Sequence, residues 1–228
     1  MCVRPIIIVL FAVVFSLAFV GARAGFTDLG EGMIKRAVAQ GTVEDEMAQS
    51  EEIDQGDPEA AALAKARLEA LKGQLYGIKG NLGQAELSHF GIIYGNYNIY
   101  STVKAVREDV SDAVAACIEN NPEMEPQISA RWGKWAKSVD KNMKEAWANI
   151  NAMTLAQDYA PQDNMKRIFA LIDETRRANS SRFETVPVTT PEACEFMISK
   201  MDETEDNMNM LLITTIKSYP LIMKAMQE

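Results

Sequence analysis

Residues 68–117 read LEALKGQLYGIKGNLGQAELSHFGIIYGNYNIYSTVKAVREDVSDAVAAC, and their spacing decides the fold. Leu68, Leu71, Leu75, Ile78, Leu82, Ala85, His89 and Ile92 recur three and four residues apart, as one buried stripe of an α-helix requires. The phase resumes at Ile99 and continues through Val103, Val106, Val110, Ala113 and Cys117. Either one very long helix covers 58–119, or two helices meet at a break. The segment Phe90-Gly-Ile-Ile-Tyr-Gly-Asn-Tyr-Asn98 is rich in poor helix formers, so the break is expected there.

Outward from this stretch the same period recurs. Asp57-Pro58 is a start signal, with an aspartate cap and proline at the first helical position. Asn120-Asn121-Pro122 ends the region, and Ile128, Trp132, Trp135, Val139, Met143, Ala146, Ile150 and Met153 form a second stripe. Ala160-Pro161 breaks the chain before a shorter helix marked by Met165, Ile168, Phe169 and Ile172. After a loop over 185–191, Thr189-Thr190-Pro191-Glu192 opens the last helix, whose stripe is Cys194, Met197, Met201, Thr204, Met208, Leu211 and Thr215. This helix is expected to bend or stop before Pro220. No stretch of two-residue alternation competes, so the chain reads as all-α, an antiparallel bundle of four to five helices over 58–228.

The N-terminus has another character. Arg4 precedes an apolar run from Pro5 to Val20, followed by Ala22-Arg23-Ala24, the layout of a cleavable signal peptide over 1–24. The apolar run is shorter than a spanning helix needs, and no second run approaches that length. The expectation is export to the periplasm or the extracellular space, without membrane insertion after cleavage. Residues 25–57 then form an acidic, weakly ordered arm. The tract Glu44 to Glu59 carries eight acidic residues and no basic one, and their spacing does not match an EF-hand loop. The tract reads as a solvated arm.

The chain has 23 basic and 32 acidic residues. The leader takes Arg4 and Arg23 and no acid, leaving 21 against 32, a net charge of −11. Such a chain repels phosphate backbones, which argues against nucleic acid as a partner.

Removal of the leader also removes Cys2, leaving Cys117 and Cys194. In an oxidising compartment a lone pair is expected to be a disulfide. The pair also bears on topology. If consecutive helices alternate in direction, the last turn of the Cys117 helix and the first turn of the Cys194 helix arrive at the same end of the bundle, as a bridge requires.

Motifs for chemistry are sparse. Gly73, Gly77, Gly80, Leu87 and Gly91 repeat at helical spacing and form a candidate groove for a protein partner, since glycine lets another backbone approach closely. His89 is the single histidine; with Met197, Met201, Met208 and Met210 it supports an alternative reading, a haem- or copper-binding bundle. No Cys-x-x-Cys-His accompanies it, and methionine is also an adaptable core filler, so no cofactor is expected. Asp202, Glu203, Glu205 and Asp206 read as a solvated face, and Trp147, beside stripe residue Ala146, as a possible contact residue. Asn179-Ser180-Ser181 fits a glycosylation acceptor in a eukaryotic host. No Gly-x-Ser-x-Gly, His-Glu-x-x-His or other nucleophile motif nominates a catalytic residue. The chain is therefore expected to be a non-enzymatic protein-interaction or structural module.

Overall fold

A computed structural model of the chain describes residues 57–183 and 187–225, with side chains as far as Lys217. The leader expected over 1–24 and all but the last residue of the acidic arm expected over 25–57 lie outside the described residues. Five α-helices follow in order: α1 Pro58–Lys79, α2 Gln84–Asn120, α3 Glu125–Ala156, α4 Gln162–Ser180 and α5 Pro191–Ala225, with a 3₁₀ turn at Pro122–Met124 before α3. No strand occurs among the described residues. None of these helices is long and apolar enough to cross a membrane.

The predicted start signals operate as expected. The Asp57 carboxylate accepts the Glu59 N–H at 3.0 Å, with Pro58 in the first turn of α1. Thr190 Oγ1 accepts the Ala193 N–H at 3.3 Å at the head of α5. The break in the 58–119 region is real, but it lies ten residues earlier than expected. Gly80 to Gly83 form the turn, and Phe90–Asn98 is continuous helix inside α2. Besides its backbone bonds, two side-chain bonds hold the turn: Asn81 Nδ2 donates to the Gly77 carbonyl at 3.1 Å, and the Gly83 N–H donates to Glu86 Oε2 at 2.7 Å. The glycines at 91 and 95 are carried through because Phe90, Ile93 and Tyr97 around them are buried. Tertiary burial here outweighs the roughly 1 kcal/mol that each helical glycine costs.

Each helix runs opposite to its predecessor. The Asp57 N–H donates to the Arg182 carbonyl at 3.1 Å, and Arg67 pairs with Glu174 at 3.1 Å, so α1 descends as α4 ascends. Arg107 grips Asp140, and Trp147 meets Tyr97 and Tyr100, which sets α3 antiparallel to α2. Arg131 reaches Glu205 at 2.9 Å and Asn142 reaches Asn209 at 2.8 Å, so α5 runs alongside α3 in the same direction. The alternation brings Cys117 and Cys194 together, with Cα atoms 5.8 Å apart and sulfurs at bonding distance, 2.10 Å. Below the bridge, Asn121 Nδ2 donates to the carbonyls of Cys117 and Thr189, closing that end of the bundle.

At about 1.5 Å per residue, the 37-residue α2 and the 32-residue α3 are long enough to serve two apolar clusters in succession. In one, α1, α4, the first part of α2 and the end of α3 enclose Leu71, Phe90, Ile93, Ile150, Ile168 and Leu171. In the other, α5 packs on α2 and α3 around Val103, Ile128, Trp135, Val139, Met201 and Leu212. Because α2 is flanked on several sides, its buried face is broader than the stripe read from sequence. Phe90, Ile93 and Tyr97 are more deeply buried than Ile92 and Ile99.

The last helix does not stop before Pro220: it passes the proline and ends at Ala225. Proline lacks the N–H that would bond the carbonyl four residues earlier, that of Ile216. That carbonyl instead accepts a hydrogen bond from Asn149 Nδ2 of α3 at 3.0 Å. A substitution Asn149→Leu is expected to strand it and cost about 1–2 kcal/mol. Faster hydrogen exchange beyond residue 216, with α4 unchanged, would report the loss.

Candidate functional site

A cluster of polar side chains lies between α2 and α4. On α2, Tyr97, Ser101, Lys104 and Glu108 fall at helical spacing and so share a face. On α4, Asp173 and Arg176 are three apart and meet it. Asp173 is the hub. Its Oδ1 accepts the Ser101 hydroxyl at 2.6 Å, and its Oδ2 accepts the Tyr97 hydroxyl and the Lys104 ammonium, each at 3.2 Å. Arg176 Nε donates to Ser101 Oγ at 3.2 Å.

A cleft of about 150 Å³ opens beside this network, lined among others by Glu108, Asp109, Arg176 and Arg177. Its charges are mixed, and those of Asp173, Lys104 and Arg176 belong to the network. Burial, and then the charge of Asp173, raises the Tyr97 pKa well above the ordinary phenol range. Burial also raises the Asp109 carboxyl, assisted by the neighbouring Asp112 and Glu108. Ser101 is 2% exposed and donates its only proton to a carboxylate, while its oxygen receives an arginine. In this arrangement the hydroxyl works as a tie between helices. The network joins α4 to α2 through bonds whose partners are satisfied, which is what a buried polar cluster needs to be stabilising.

The residues singled out from sequence scatter. Gly73 and Gly77 sit on exposed positions of α1, where an added Cβ would meet nothing within 4 Å. Gly80 belongs to the turn; Leu87 is half-buried and Gly91 exposed on α2. The turn thus divides the glycine row between two helices running in opposite directions, so it is not one continuous helical stripe. With open space around it, Gly77→Ala is expected to raise stability by about 0.5–1 kcal/mol, measurable as a higher denaturation midpoint.

The proposed metal set does not assemble. His89 is buried against Tyr159, which packs on the cluster around Phe90, whereas Met197, Met201 and Met208 belong to the cluster around Trp135. Met210 is 60% exposed. The methionines fall on the core face of α5 because the helical period puts them there, and His89 belongs to a different level of the bundle. Among the described residues no three His, Cys, Asp or Glu side chains converge as a metal site.

The acidic group on α5 is not uniformly solvated. Asp202 and Glu205 both pair with Arg131 of α3, while Glu203 pairs with Lys200 on its own helix. Trp147 is 40% exposed and forms the edge of an aromatic group with Tyr97, Tyr100 and Phe169, Phe169 stacking on Tyr97 at 4.0 Å. Sequence reasoning missed Asp173, Ser101 and Lys104. The available signal was the polar row Tyr97, Ser101, Lys104 interrupting an otherwise apolar helix, which implies a polar partner elsewhere in the chain.

None of the protein-family models, curated proteins or solved structures compared with this chain matches it, so its reading rests on its own residues.

Proposed function

We propose that the chain is an exported helical-bundle protein, periplasmic or secreted, that acts as a non-enzymatic protein-interaction or structural module. The observation that carries the reading is the Cys117–Cys194 pair. These are the two cysteines left once the leader is removed, and they stand at bonding distance across two helices. A bond of this kind persists in the oxidising compartment to which the leader directs the chain. The polar side chains around Asp173 are engaged in holding α4 to α2, which suits a scaffold. Half-exposed Trp147 and the open surface at Gly77 offer contact positions for a protein partner.

The test is cross-linking in the native exported fraction, comparing the wild-type chain with Trp147→Ala and Gly77→Leu. The reading expects one defined partner, or a second copy of the chain, recovered with the wild type and reduced with at least one variant. Recovery of the chain only in the cytoplasm, or no cross-linked species at any concentration, would contradict it.

A further inference from the structure

His89 is the one histidine of the chain, and it lies in the second turn of α2 with only 4% of its surface exposed. Its Nε2 is buried without a hydrogen-bond partner. The ring packs edge-on against Tyr159, with centroids 5.8 Å apart, and the Tyr159 hydroxyl is likewise buried and unpartnered. Tyr159 belongs to the connection between α3 and α4. That connection is held by Gln157, whose side-chain amide exchanges two 2.8 Å hydrogen bonds with the backbone of Ala160, and by Gln162 donating to the Thr154 carbonyl at 2.8 Å. The turn from α1 into α2 lies at the same end of α2. His89 thus stands beside the α3–α4 connection and near the α1–α2 turn.

Such an imidazole is tolerated only while neutral. A neutral ring carries an N–H on one nitrogen alone, whereas the imidazolium carries an N–H on both and brings a full charge into an apolar setting. Of the titratable groups, Tyr159 from the connection packs on the ring, and Glu86 in the first turn of α2 lies near enough to Tyr159 to act on it. Tyr159 is uncharged, its pKa raised by burial and then by Glu86. The Glu86 carboxylate is already engaged by the Gly83 N–H at 2.7 Å. Burial lowers the His89 pKa below its ordinary 6.5.

We propose that His89 is an acid-sensitive latch: protonation of its imidazole frees the Tyr159 connection from α2 and opens this end of the bundle, leaving the Cys117–Cys194 end closed. The sign follows from linkage. With the folded value below 6.5, the unfolded or opened chain binds the proton first. Full stability is present above 6.5 and is lost as pH falls below it, until the folded value is reached. Within that window the opening equilibrium rises by up to about tenfold per pH unit.

The test is hydrogen exchange, corrected for intrinsic rates, on wild type and His89→Gln between pH 7.5 and 5.0, with an NMR titration of the wild-type imidazole. The latch predicts local opening at 80–95 and 154–166 that rises about tenfold on acidification in wild type, is flat with pH in His89→Gln, and spares 110–121. The imidazole should titrate below 6.5. Equal pH dependence in both proteins, or an imidazole titrating at or above 6.5, overturns the proposal. If the glutamine variant does not fold, the wild-type titration and its exchange pattern decide the matter alone.

Discussion

Reduction of the bond between Cys117 and Cys194 is expected to lower the stability of the chain by about 4 kcal/mol, through the loop closed between residues 77 apart in sequence. The size follows from what the bond excludes. Without it the unfolded chain regains the freedom of a loop that spans all of α3 and α4, and that freedom favours the unfolded state. Replacing both cysteines by alanine is expected to cost more than reduction alone. Both sulfurs are fully buried in the cluster around Trp135, so their removal also leaves unfilled volume. Urea unfolding of the oxidised, reduced and alanine forms separates the two contributions. The reduced form should lose most of the effect, and the alanine form should fall below it.

The second large effect is expected at Asp173. Asp173→Ala removes the common acceptor of Ser101, Tyr97 and Lys104 and should cost about 3 kcal/mol. Ser101 and Tyr97 are buried, at 2% and 6% exposure, so their hydroxyls cannot recover water in exchange; each stranded group costs about 1–3 kcal/mol. Lys104 adds little, because its side chain is 36% exposed and an ion pair of that kind contributes at most about 1 kcal/mol. Asp173→Asn keeps an acceptor and should lose roughly half as much. Thermal unfolding measures the total, and hydrogen exchange over 162–180 should show α4 loosening from α2 while the Trp135 cluster stays protected.

How much of this was legible in the sequence differs by residue. The helical period, Asp57-Pro58, Thr189-Thr190-Pro191-Glu192 and the proline-marked connections are local signals, and local physics settled them. The meeting of Cys117 with Cys194 was also legible, because alternating short-connected helices leave few other arrangements. The break at Gly80–Gly83 was misplaced for a reason that sequence conceals. Gly91 and Gly95 are as unfavourable in a helix as Gly80 and Gly83, and only the burial of Phe90, Ile93 and Tyr97 holds the chain helical around them. Pro220 is a similar case: its effect depends on Asn149, far away in sequence, accepting the role of the missing donor. The Asp173 hub was illegible because its partners lie about 70 residues away. The grouping of His89 with the α5 methionines failed because spacing gives the face a residue occupies without its level along the bundle. Two clusters, stacked along α2 and α3, separate them.

Non-reducing peptide mapping of the protein isolated from its native source tests the central claim most directly. The account predicts a mature N-terminus near Gly25 and a single linked peptide pair joining Cys117 to Cys194. An intact Met1 start with both cysteines recovered as free thiols would contradict it.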